Sequence, residues 1–158
     1  MLNDAVPRPR LGVVGTGYVG LTTGACFAHL GFPVVCGDVD PRKVEMLNDG
    51  RIPIVEAGLA GIVDAARQSG TIEFVLGAEA AARDADIVFL CVPTPQGDDG
   101  SADLSYIEAA AEQISPVLQS GAVVVNKSTV PVGSTNAVER VLRRDDVTVV
   151  SNPEFLRE

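Results

Sequence analysis

The stretch Leu11-Gly12-Val13-Val14-Gly15-Thr16-Gly17-Tyr18-Val19-Gly20 decides the fold. A short apolar, β-prone run at Leu11–Val14 leads without a linker into a G-x-G-x-x-G turn, and helical periodicity follows over Tyr18–Leu30. The three glycines serve different ends. Gly15 permits the tight turn, Gly17 lets backbone N–H groups approach a pyrophosphate, and Gly20 lets the helix pack close to the strand. The helix start aims free N–H groups and a positive dipole end at the same point. Alone the motif is weak, because ordinary turns also contain it. Here Asp38 ends the next apolar run, 38 − 20 = 18 residues beyond the last glycine. A carboxylate there accepts hydrogen bonds from the adenosine ribose and repels a 2′-phosphate, so the expected cofactor is NAD rather than NADP. Arg42 and Lys43 follow closely, and Arg42 reads as part of a solvated first helical turn after Pro41.

Outward from this unit the same alternation continues. Apolar runs at Pro33–Gly37, Thr71–Val75, Asp86–Val92, Ala122–Val125 and Val147–Val150 alternate with helical stretches. The latter fall at Pro41–Asn48, Ala57–Gln68, Ala78–Asp84, Leu104–Leu118 and Gly133–Arg144. Continuously apolar strands imply burial on both faces, as in a parallel sheet covered by helices. The expectation is therefore an α/β, Rossmann-type doubly wound parallel sheet of about six strands in a single domain. Residues 1–9, with two prolines, read as a flexible leader, and 10–158 as the dinucleotide-binding domain.

Composition narrows the function classes. The 158 residues carry 12 Lys+Arg against 21 Asp+Glu, a net charge of −9. That balance disfavours nucleic acid, and an anionic ligand must be gripped locally, chiefly by the Gly15–Gly20 backbone. No apolar run is long enough to span a membrane, and no secretory signal is readable in the first residues. Cys26, Cys36 and Cys91 lack metal or disulfide spacing and read as small buried hydrophobes in a cytoplasmic protein. His29 reads as a helix-terminal residue, and no metal site is expected.

Ligands of open α/β sheets lie beyond the carboxyl ends of the strands. Beyond the fourth strand, Pro93 and Pro95 flank Thr94, whose hydroxyl is a candidate cofactor contact or part of a plain turn. Beyond the fifth, Asn126-Lys127-Ser128 fails as a phosphate loop because Asn stands where Gly is required. Lys127 and Thr129 then face the nicotinamide end of the crevice, and Ser134 or Thr135 caps the next helix. After the last strand, Glu154 and Glu158 stand four apart, equally readable as acid–base groups or as a solvated helix face. The acidic loop 97–103 lacks calcium-loop spacing and reads as a mobile loop, with Asp103 capping the following helix.

Taken together, Gly15–Gly20, Pro53-Ile54-Val55-Glu56-Ala57-Gly58-Leu59, Val92–Pro95, Lys127–Gly133 and Asn152-Pro153-Glu154-Phe155-Leu156-Arg157-Glu158 resemble the amino-terminal domain of the UDP-glucose/GDP-mannose dehydrogenase family. That resemblance implies a cytoplasmic oxidoreductase converting the 6-hydroxymethyl group of a nucleotide sugar, UDP-glucose above all, to a carboxylate in two NAD-dependent steps. It implies that Gly15, Gly17, Tyr18, Val19 and Gly20 line the pyrophosphate, that Asp38 and Lys43 take the ribose, and that Thr94 and Thr129 lie along the cofactor. Catalytic roles are implied for Thr129, near a water, and for Glu154 and Glu158, with Glu154 the preferred general base. Ala57 stands where the family usually has Pro. The family's nucleophilic cysteine, dimerising helix and sugar-nucleotide domain have no counterpart in these residues, so the expectation is a cofactor domain that is catalytically incomplete alone. Oligomeric state stays open. The alternative is a standalone dinucleotide-binding module for sensing or assembly, and a β-hydroxyacid-type dehydrogenase ranks third.

Overall fold

The structure is a computed structural model and describes residues 7–97, 100–129 and 135–154. Six strands, β1 (Leu11–Val14), β2 (Val34–Asp38), β3 (Ile72–Leu76), β4 (Ile87–Leu90), β5 (Val123–Asn126) and β6 (Thr148–Ser151), form one parallel sheet in the order β3-β2-β1-β4-β5-β6. This is the expected doubly wound sheet, with its order reversing between β1 and β4. Helices α1 (Tyr18–His29), α2 (Pro41–Asn48), α3 (Leu59–Ser69), α4 (Ala78–Ala82), α5 (Ser105–Ile114) and α6 (Thr135–Leu142) connect them.

Strand alternation sorts the core into two layers. Val14, Val35, Leu90 and Val124 pack on one face with α4, α5 and α6. Val13, Cys36, Phe89 and Val125 pack on the other with α1 and α3. Helix α4 is all but pure alanine because it lies flush on the sheet: a Cβ on Gly12 would stand 2.5 Å from the Ala81 carbonyl oxygen.

Several expectations need correcting. Burial on both faces holds for β1 and β2, but β6 is largely exposed and β3 alternates, since edge strands are covered on one side only. The helix expected over Leu104–Leu118 ends at Ile114 and gives way to a 3-10 turn at Ser115–Val117, because Pro116 has no N–H to continue the ladder. Asp103 is not the cap residue itself. It stands one position earlier, its carboxylate accepting from the Ser105 hydroxyl and, at 2.9 Å, from the Ser105 amide, which together hold it below the usual carboxylate range. At the base of the loop it closes, Gln96 pairs with Ala102, and the Asp103 amide donates to the Pro95 carbonyl at 2.8 Å. Cys26 is exposed on α1, whereas Cys36 is buried. The guanidinium of Arg8 donates to the Leu30 carbonyl and stacks 5.2 Å over the Phe32 ring. Ser134 and Glu158, and the Thr135 side chain, lie outside what the structure describes.

Candidate functional site: a cleft along the carboxyl edge of the sheet

A cavity of about 660 Å³ runs along the carboxyl ends of the strands, from Asp38 at the end of β2 and Val39 beyond it, past Gly15 and Gly17, to Thr94, Thr129 and Glu154. Its volume is that of a cofactor cleft. The glycine turn forms its floor, and the three glycines differ as their roles require. Gly15 has φ +98° and lies against the Cys91 carbonyl. At Gly20 a Cβ would fall 1.8 Å from the Gly15 carbonyl oxygen. At Gly17 a Cβ would meet nothing within 4 Å, so that hydrogen faces open space over the helix start. Helix α1 begins there with no side-chain cap and no acidic residue in its first turn. Its first amide N–H groups, which have no partner within the helix, are thus left for an anion.

Asp38 is tied into this turn more tightly than its sequence position suggests. Its Oδ2 accepts the Thr16 amide at 2.9 Å and the Thr16 hydroxyl at 2.6 Å, and Oδ1 accepts the Asp40 amide at 3.0 Å. Burial raises its pKa, but these donors and the Lys43 ammonium, 3.7 Å away, outweigh burial and hold it ionised below its ordinary value. A carboxylate offers about four lone-pair sites, so it keeps capacity for a ribose hydroxyl. Arg42 is turned to solvent and bonded to Asp40, away from the cleft. Thr16, 1% exposed, is the residue that sequence reasoning missed; its only signal was its place inside the glycine motif.

Tyr18 lines the cleft rim, and its hydroxyl donates to Glu56, which raises the phenol pKa. That bond ties the loop before α3 to the glycine turn. Val19 and Lys43 also line the cleft.

At the far end, hydrogen bonds stitch the exits of β4, β5 and β6 together. The Thr94 hydroxyl donates to the Thr129 carbonyl at 2.9 Å, and the Thr129 hydroxyl donates to the Glu154 carbonyl at 2.7 Å. Both threonines thus present only lone pairs to a ligand or water. Lys127, 9% exposed, donates to Asn152 Oδ1 at 3.0 Å and to Glu154 Oε2 at 3.2 Å, while Ser128 donates to the Val92 carbonyl at 2.7 Å. Neither Lys127 nor Ser128 is arranged as a phosphate loop. Cys91 also lines the cleft, but burial pushes its thiol up to about 12, against the opposing influence of Lys127. At neutral pH it is a thiol and not a nucleophile.

Sheet order, the open glycine turn and an ionised acid at the end of β2 fit a dinucleotide and define a dehydrogenase-type dinucleotide-binding domain. The sequence profile described as the UDP-glucose/GDP-mannose dehydrogenase family, NAD binding domain, matches residues 9–158. The chain belongs to that family, and the cofactor of this domain is NAD. It is 49% identical over 154 residues to a UDP-glucose 6-dehydrogenase of Rhizobium meliloti (strain 1021), covering 94% of this chain and 35% of that protein. Among solved structures, a UDP-glucose dehydrogenase from Pyrobaculum islandicum aligns with TM-score 0.92 at 41% identity, covering all of this chain (100%) and 38% of that one. A GDP-mannose dehydrogenase from Pseudomonas aeruginosa aligns at TM-score 0.85 and 34% identity, with 94% and 37% covered. The chain therefore spans about a third of the length of these three relatives. Among the described residues no helix is long and apolar enough to cross a membrane, and no cluster of His, Cys, Asp or Glu could hold a metal.

Proposed function

We propose that this chain is the cofactor domain of a nucleotide-sugar 6-dehydrogenase acting on UDP-glucose, which oxidises C6 to the carboxylate of UDP-glucuronate in two successive steps. The observation that carries the reading is one cleft holding both the open glycine turn and the Thr129–Glu154 pair. The choice of UDP-glucose is supported by 45–49% identity to three UDP-glucose 6-dehydrogenases, against 36% to a GDP-mannose 6-dehydrogenase. NAD, when bound, supplies the hydride acceptor.

The chain's own residues fill the remaining roles. Gly15, Gly17, Tyr18, Val19 and Gly20 cradle the pyrophosphate, and Asp38 with Lys43 holds the adenosine ribose. Thr94 offers its lone pairs along the cofactor. Thr129 has spent its proton on the Glu154 carbonyl, so it accepts an O–H from water and turns that water's lone pairs outward. Glu154, its side chain 46% exposed, is the general base that takes the proton. Glu158, outside the described residues, is assigned the companion carboxylate on the strength of the family motif alone.

Oxidation through a covalent thiohemiacetal and thioester needs a thiolate at the sugar. Cys36 is buried, Cys91 is held as a thiol, and Cys26 lies on α1 away from the cleft lining. Purified chain mixed with NAD and UDP-glucose is thus expected to produce no NADH, read by its absorbance, while still binding NAD. Turnover at the rate of a full-length relative would overturn the assignment of incompleteness. Tight NAD binding that UDP-glucose leaves untouched, with no gain on adding a relative's carboxyl-terminal part, would favour a sensing or assembly module.

A further inference from the structure

We infer that the Lys127–Glu154 ion pair sets how the cleft discriminates between oxidised and reduced NAD, with Lys127 acting as a positioning and charge-balancing residue. The inference rests on the cofactor orientation proposed above, with the adenosine at Asp38 and the nicotinamide toward Glu154. The two forms carry the same phosphates and ribose hydroxyls, so the glycine turn and Asp38 treat them alike. They differ in charge at the nicotinamide ring, which is cationic when oxidised and neutral when reduced.

At that end of the cleft the charged groups among the described lining residues are Lys127 and Glu154. The ammonium is nearly buried and held by two acceptors at once, Asn152 Oδ1 at 3.0 Å and Glu154 Oε2 at 3.2 Å. The main chain locks the same two residues together, the Glu154 amide donating to the Lys127 carbonyl at 3.1 Å. This pair is built into the fold, unlike a surface contact between two free side chains. A lone carboxylate in this position would favour the cationic ring and a lone ammonium would disfavour it. Paired, they nearly cancel, which lets the domain bind the oxidised form and release the reduced one without a large penalty for either.

Calorimetric titration of the chain with NAD+ and with NADH tests this in the wild type, Lys127→Met, Glu154→Gln, the double variant and Lys127→Arg. The quantity read is the ratio Kd(NADH)/Kd(NAD+). One uncompensated charge at that end of the cleft is expected to shift it about tenfold. The ratio is expected to rise about tenfold in Lys127→Met and to fall about tenfold in Glu154→Gln. It should return near the wild-type value in the double variant and stay there in Lys127→Arg. If Lys127→Met does not fold, the half-exposed Glu154→Gln decides. An unchanged ratio in Glu154→Gln, or equal weakening of both ligands, overturns the inference while leaving NAD binding intact. Failure of the wild type to bind either form overturns the cofactor reading itself.

Discussion

Gly17 and Gly20 stand three residues apart in one turn, yet a methyl group at each meets different surroundings. At Gly17 it enters empty space above the helix start; at Gly20 it collides with the Gly15 carbonyl oxygen. Gly17→Ala is expected to keep the thermal midpoint, within about 0.5 kcal/mol of wild-type stability, and to lose at least about tenfold in NAD affinity. Gly20→Ala is expected to cost about 3 kcal/mol or more in stability; unfolding curves with calorimetry separate the two. Asp38 gives a pH signature. Its folded pKa is lowered, so its contribution is present at neutral pH, begins to fail as pH drops through the unfolded value of about 3.9, and is gone below the folded value. Asp38→Asn should flatten that part of the acid limb when urea titrations are run from neutral pH downward. Among the cysteines, Cys26 is exposed and the thiol of Cys91 is pushed up to about 12, so iodoacetamide at mildly alkaline pH should label Cys26 first and spare Cys91.

Helix α4 tests the packing at the scale of an element. Ala78, Ala81 and Ala82 are buried against β1 and β2, with Ala81 fully so at 0% exposure. Ala81→Leu should destabilise the domain by about 1–3 kcal/mol through overpacking, measured by chemical denaturation. This layer of the fold was legible in the sequence, because short apolar runs and helical stretches alternate, and the helix Pro41–Asn48 and strand Leu11–Val14 fall where the spacing puts them. Less legible were features decided by tertiary position. The exposure of β6 follows from its place at the sheet edge, which no periodicity encodes. The full engagement of Thr94, Thr129 and Lys127 depends on three strand exits meeting in space. Sequence spacing put these residues near the cleft but could not say that the two hydroxyls had already spent their protons on carbonyl groups. Thr16 was hidden for the same reason: its hydroxyl acquires a purpose only when β2 brings Asp38 alongside.

At the scale of the whole molecule, the net charge of −9 repels anions, and the cleft answers with a local arrangement. Its two lysines, Lys43 and Lys127, are each set against a carboxylate, Asp38 and Glu154, so we assign the anion to the uncapped start of α1. In the proposed reading Asp38 selects the cofactor, since a 2′-phosphate would meet the ionised carboxylate while Arg42 is bonded to Asp40. We propose that these residues form an NAD site whose grip lies in the Gly15–Gly20 backbone and whose selectivity lies in Asp38. Titrating the purified chain with NAD and with NADP in a calorimeter decides this. One NAD should bind per chain, at least about tenfold tighter than NADP. Equal affinity for the two, or a preference for NADP, would contradict it.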